Sequence, residues 1–283
     1  MVQVLIVGCG DLGGAVATQL VSLGFDVTGV RRSNHHINGV ANIQADVTHP
    51  ESLAALKLAR PEILIYCVAA NGQTDAQYKA HYVDGLLHVL TAQAENKRLQ
   101  HVFFVSSSRV YGQVTDALLD ETVNAIPADF GGIRLLEAEG LLATISCPST
   151  VLRLSGIYGE GRLRMLTLAK SPQSWPVQNG WSNRIHRDDA AAFIVFLVQQ
   201  VLAGKPVQNS YIVTDSMPAP QHEVLEWLAI QLQATESPKF ITNMPIEGGK
   251  RLSNQAMLTT GFSLQYPDFR SGYQALIAKN NTL

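Results

Sequence analysis

The amino-acid sequence predicts an α/β protein: a doubly wound parallel sheet followed by a small C-terminal lobe. Three observations carry this expectation. Short, near-continuously apolar, β-branched runs alternate with longer helical segments from the first residues, as strands buried on both faces of a parallel sheet do. A glycine-rich turn, "VGCGDLGG", joins the first such run to the first helical segment. After residue 160 the alternation loosens into a Pro/Gly/Asn-rich stretch, "SPQSWPVQNGWSN" (171–183).

Taken in order, strands are expected at 2–7, 26–30, 62–68, 101–106, 149–155 and 210–216, with a short one ahead of Asp46. Helices are expected at 12–23, 75–96, 133–143, 187–202, 220–233, 251–260 and 267–278. Asp129 reads as a helix N-cap, and Asp188 and Asp189 open the helix over 187–202, where they favour its dipole. Strand, helix, strand, repeated in this way, implies right-handed crossovers. The expected division is a sheet domain over 1–160, completed by 184–216, and a small lobe formed by 161–183 and 217–283. No repeat and no low-complexity tract interrupts the chain.

At 283 residues, 46% hydrophobic and 16% charged, the chain has enough apolar material for a substantial core, which argues against disorder. Its formal net charge of -2 and lack of any basic run exclude nucleic acid or an anionic membrane surface as the expected main partner. "MVQVLIVG" runs straight into the glycine turn and reads as a strand, not a signal peptide. The longest apolar run, Ala190 to Val198, is too short to span a bilayer. Cys9, Cys67 and Cys147 are widely spaced, form no metal pattern and read as reduced thiols in the cytoplasm. No metal is expected.

The turn supplies Gly8-x-Gly10-x-x-Gly13 between a strand and a helix, with Asp11 and Leu12 inside it. Gly8 permits the tight turn, Gly10 lets backbone approach a pyrophosphate, and Gly13 lets helix and strand pack closely. The helix start presents free N–H groups and a partial positive charge. The sheet is therefore expected to be Rossmann-type, and residues 1–160 to bind a dinucleotide. At the end of the second strand, where an acid would bond a ribose 2′-OH, stand Arg31 and Arg32. A guanidinium fork matches a phosphate rather than a neutral hydroxyl, so NADP is expected over NAD, a solvated basic turn being the alternative. Asp46 is placed to contact adenine, or is a solvated turn residue. Cys9 is a redox thiol activated by the helix start or a small buried filler.

These residues, together with "FFVSSSRVYG" (103–112), "LRLSGIYGEGR" (152–162) and "RIHRDDAAAF" (184–193), resemble the extended branch of the short-chain dehydrogenase/reductase superfamily, which includes nucleotide-sugar epimerases and dehydratases. The resemblance covers nearly the whole chain. It implies a small-molecule substrate such as a nucleotide sugar, a C-terminal substrate lobe, cofactor contacts from Val68, Ala69 and Ala70, and a homodimer formed through two helices of the sheet domain. Family members position substrate with a Ser or Thr, here Ser107, or else a strand-end Ser satisfying local backbone. They pair it with a Tyr acid/base and a Lys four residues later, which holds the nicotinamide ribose and lowers the Tyr pKa.

At those two positions this chain carries Phe130 and Arg134. Arg134 can still bond a ribose; Phe130 has no proton to give. The pattern resembles the atypical short-chain dehydrogenases, in which the cofactor fold survives and the pair is altered. Tyr111, Tyr158 and His186 are the substitutes to weigh, each also readable as a packing residue. Arg153, Arg162, Arg164 and Arg184 either face an anionic substrate group or form ordinary ion pairs. Two functions remain open: an NADP-dependent oxidoreductase or epimerase/dehydratase-like enzyme, and a non-catalytic NADP(H)-binding redox sensor.

Overall fold

The computed structural model describes residues 1–234 and 244–280. The chain forms two compact units: Met1–Gly112 with Asn124–Arg153 and Ala191–Tyr211, and Gln113–Val123 with Leu154–Ala190 and Ile212–Leu283.

A seven-stranded parallel sheet is the frame: β1 (Gln3–Val7), β2 (Asp26–Arg31), β3 (Val40–Gln44), β4 (Ile63–Tyr66), β5 (His101–Ser107), β6 (Ser149–Leu154) and β7 (Ser210–Val213). Their order is β7-β6-β5-β4-β1-β2-β3. The expected Rossmann-type doubly wound α/β fold is what the chain adopts. Ile6, Val7 and all of β4 are completely enclosed, as the continuous apolar runs require. β1 pairs with β2 on one side and β4 on the other. Winding reverses there, which opens a crevice beyond the carboxyl ends of β1 and β4, where ligands bind in such sheets.

Three helical expectations change. The run 75–96 is an α-helical turn at Asp75–Tyr78, a π-helical stretch at Lys79–Asp84 and an α-helix at Gly85–Gln93. The buried phenol of Tyr66 donates to the His81 carbonyl, drawing it from the regular ladder and widening the helix. The helix expected over 133–143 spans Phe130–Leu141, because the Asp129 carboxylate accepts from Gly132 N at 2.9 Å and caps it earlier. Instead of one helix over 251–260 there is a two-residue strand, Arg251–Leu252, and a helix at Gln255–Thr259. Asn183 holds that stretch extended, donating to Lys250 O and accepting from Leu252 N.

The second unit has short strands without a readable period: Gly156–Tyr158 beside Arg184–His186, Trp181–Ser182 beside Ala219–Pro220, and Leu118–Leu119 beside Arg251–Leu252. Its core gathers Tyr158, Leu166, Trp175, Val224, Leu228 and Phe269. The lobe expected over 217–283 takes in 235–243 and 281–283, outside the described residues. No helix among the described residues is long and apolar enough to cross a membrane.

Candidate cofactor and active site

Gly8 has φ +92°, and a Cβ there would stand 2.5 Å from the Cys67 carbonyl oxygen. Only glycine makes that turn. A Cβ on Gly13 would strike the Gly8 carbonyl, so helix Asp11–Ser22 lies directly on the loop. At Gly10 an added Cβ would meet nothing within 4 Å. No side chain caps this helix, which leaves its first N–H groups and its dipole for an anion. Open space above Gly10 and uncapped donors below it fit a pyrophosphate. Asp11 is exposed in the first turn and Leu12 is buried beneath it.

Cys9 is buried against Gly29, and burial pushes its thiol up against the opposing charge of Arg31. That is the environment of a filler. Arg31 ends β2 with its Nε buried and lacking a hydrogen-bond partner among the described residues. Arg32 follows it, exposed. Asp46 Oδ1 accepts from Thr48 N and Oγ1 at 2.9 and 2.7 Å, which closes a local turn. Val68, Ala69 and Ala70 follow β4 beside the glycine loop, where Cys67 N donates to Val7 O at 2.7 Å.

Ser107 closes β5, and its Oγ accepts from Arg109 N at 3.2 Å. Phe130 is half-buried, and its ring meets that of Tyr78 edge to face, with centroids 5.5 Å apart. Arg134 donates from Nε and Nη2 to both oxygens of Asp75 (2.7 and 2.9 Å) and from Nη1 to Glu137 (2.7 Å). Its fork thus already serves two carboxylates. Arg109, which carries no role in the sequence motifs above, stands between these groups. Arg109 Nε reaches both Asp129 oxygens at 2.9 and 3.0 Å, while Nη1 donates to Tyr78 Oη at 2.7 Å and Gln73 Oε1 at 3.0 Å. Arg109 lies within the "SSSRVYG" run, so position pointed to it. Tyr78 carried no signal beyond its place on the segment after β4.

A sequence profile of the NAD dependent epimerase/dehydratase family matches residues 4–212. The chain belongs to the NAD-dependent epimerase/dehydratase family. Over its length it is similar to a solved structure from Methylobacillus flagellatus whose name places it among the NAD-dependent epimerases/dehydratases, at 49% identity and a TM-score of 0.90, covering 99% of each chain. It is 26% identical to the Escherichia coli K12 protein YeeZ, covering 95% of this chain and 97% of that one. The Bordetella bronchiseptica enzyme WbmG, crystallised with NAD and UDP, shares the fold at 17% identity and a TM-score of 0.80, covering 99% of this chain and 94% of that one.

This epimerase/dehydratase-family chain places the other predicted residues in varied settings. Tyr111 is wholly enclosed, with its hydroxyl accepting from Arg153 Nη1 at 2.6 Å. Arg153 also grips Glu139, with its Nη2 2.7 Å from Oε2, so this arginine is committed inside the first unit. In the second unit, Tyr158 stacks on Tyr273 at 4.3 Å, and burial pushes its phenol up. His186 lies between Tyr158 and Tyr266. Asp188 N donates to its Nδ1 at 3.2 Å, and burial lowers its pKa despite Asp188 and Asp189. Asp189, in the first turn of its helix, accepts from Gln265 N and Tyr266 N. Arg184 is buried, donating to Ser182 Oγ at 2.8 Å, with Nη1 unpartnered among the described residues. Arg164 opens the helix Arg164–Ala169, and Arg162 N donates to Gly159 O. Among the described residues no three His, Cys, Asp or Glu side chains gather as metal ligands.

Proposed function

We propose that this chain is an NADP-dependent oxidoreductase or epimerase/dehydratase-like enzyme acting on a small molecule, with a nucleotide sugar as the substrate class. The observation that carries the cofactor choice is Arg31. Its guanidinium closes β2 beside the glycine loop with a buried Nε that no described residue satisfies, and the exposed Arg32 follows it. In this reading Gly8, Gly10, Asp11, Leu12, Gly13 and Val68–Ala70 hold the dinucleotide, while Asp46 lies on the adenine side. Ser107 would position the substrate's reacting oxygen. Bound nicotinamide would supply or accept the hydride.

UDP in one structural neighbour and UDP-glucose in a Thermotoga maritima one motivate the substrate class. Three free cysteines agree with a cytoplasmic setting. The helices Gly85–Gln93 and Phe130–Leu141 expose Leu87 and Ile133, the face through which a homodimer would form. The second reading, a non-catalytic NADP(H)-binding sensor, is favoured by Phe130 and by the engagement of Arg134 with Asp75 and Glu137. Isothermal titration with NADP(H) and NAD(H) tests the shared foundation: NADP(H) should bind more tightly, and equal affinity or a preference for NAD(H) would sink the cofactor assignment.

A further inference from the structure

We propose that Tyr78, on a different segment of the chain from Phe130, is the proton donor and acceptor of this enzyme, with Arg109 as its cationic partner; the inference rests on the nicotinamide-binding reading above. A serine, a phenol and a cation are all present in the first unit, drawn from new places in the sequence. Ser107 Oγ accepts from Arg109 N at 3.2 Å, which ties the serine to the residue carrying the cation. Arg109 Nη1 donates to Tyr78 Oη at 2.7 Å. The Arg109 Cζ stands 5.0 Å from the Tyr78 ring centre and 5.2 Å from that of Phe130. The phenol itself donates to Gln73 Oε1 at 3.2 Å, and Gln73 is exposed. The hydroxyl of this buried residue therefore has a cation on one side and the amide of an exposed residue on the other.

The sequence around Phe130 is shaped for this arrangement. A Cβ on Gly131 would stand 2.5 Å from Arg109 Cζ and 2.7 Å from Nη1, so the glycine makes room for the guanidinium. Asp129 takes Nε with both oxygens and leaves Nη1 for the phenol. The other phenols of this unit are less suited. Tyr66 is enclosed and committed to the His81 carbonyl, Tyr111 is enclosed beside Arg153, Tyr211 is enclosed with its hydroxyl accepting from Gln208 N, and burial pushes Tyr82 up to about 12. In the oxidising direction the substrate O–H bond breaks and its proton joins the Tyr78 phenolate oxygen. The carbinol C–H bond breaks with its electron pair leaving as hydride to the bound oxidised nicotinamide, and C=O forms. Reduction reverses both transfers.

Proton counting on cofactor binding tests this without a known substrate. The positive ring of NADP⁺ near a phenol favours phenolate, whereas neutral NADPH does not. Isothermal titration of the full chain near pH 9, in two buffers of different ionisation heat, should show proton release with NADP⁺ at least about threefold greater than with NADPH. Tyr78→Phe, which keeps the ring and its packing, should bind NADP⁺ within about threefold of wild type and lose most of the release. Tyr82→Phe should retain it. Undiminished release from Tyr78→Phe, loss on Tyr82→Phe instead, or no release from wild-type protein that binds NADP⁺ would each overturn the inference while leaving the cofactor reading intact. Binding of NAD⁺ in place of NADP⁺ would refute the cofactor preference, and the same count made with NAD⁺ would decide on Tyr78. Binding of neither nucleotide would overturn both.

Discussion

At the scale of single residues, the glycine loop and Arg31 make separable demands. Gly13 sits where a Cβ would run into the Gly8 carbonyl. Gly13→Leu should push the helix start off the loop and abolish NADP(H) binding, while circular dichroism still reports a folded chain. A Leu variant that binds at wild-type strength would mean the loop serves another purpose. Arg31→Ala with Arg32→Ala should weaken NADP(H) selectively, by about 1–3 kcal/mol if charge-assisted hydrogen bonds are lost; an equal loss for NAD(H) would show that the arginines act on something other than a 2′-phosphate. The glycine turn was legible because local backbone requires it, and the arginine pair because charge at the end of β2 can be placed by counting along the chain. The meeting of Arg109 with Tyr78 was not, because it joins residues 31 apart in sequence and depends on the space left by Gly131.

At the scale of elements, the helix Phe130–Leu141 is anchored at both ends by charge. Asp129 caps its start. Near its other end Glu139 accepts from Ser106 Oγ at 2.6 Å, on β5, and from Arg153 Nη2 at 2.7 Å, on β6. The Glu139 and Arg153 side chains are only 7% and 12% exposed, so neither charge can be left alone cheaply. Glu139→Ala should cost about 3–5 kcal/mol in urea unfolding, because Arg153 would stay buried without its partner. Glu139→Leu with Arg153→Met, which removes both charges and keeps the volume, should recover most of that loss. A single variant costing less than about 1 kcal/mol would mean that water already screens the pair. Strand positions and helix existence were readable from periodicity, but this anchor was not, since Arg153 read equally as a substrate-facing group and nothing in the sequence pointed to Glu139 as its partner. The π-helical stretch after Tyr78 escaped for a similar reason: it follows from a strand phenol, Tyr66, seeking an acceptor one element away.

At the scale of the whole molecule, charge is sparse, with 16% charged residues and a net charge of -2, so a few buried groups set how stability responds to pH. Asp215, in the second unit, is 1% exposed. Its Oδ1 accepts from Met217 N at 3.1 Å, and its Oδ2 has no partner among the described residues. Burial raises its pKa to about 7, against the pull of the Met217 hydrogen bond and of Arg184. The folded state then binds a proton that the unfolded chain releases near pH 4, so this group's stabilisation is complete at about pH 4 and is lost as pH rises to about 7. A rise from about 4 to about 7 is worth about 4 kcal/mol at most. Carboxylates with lowered pKa, such as Asp120, push the other way below that window, and His186, whose pKa burial lowers, opposes the trend within it. The clean observable is therefore the difference between wild type and Asp215→Asn, followed through Trp175, Trp181 and Trp227, which all lie in the second unit. Asparagine adds a constant cost of about 1–3 kcal/mol if its amide stays unsatisfied, which shifts the difference curve without bending it. The curve should move in favour of Asp215→Asn between about pH 4 and pH 7 and run flat above. A difference that stays level across that range would mean Asp215 is ionised in the folded chain, with Arg184 neutralising it at every pH.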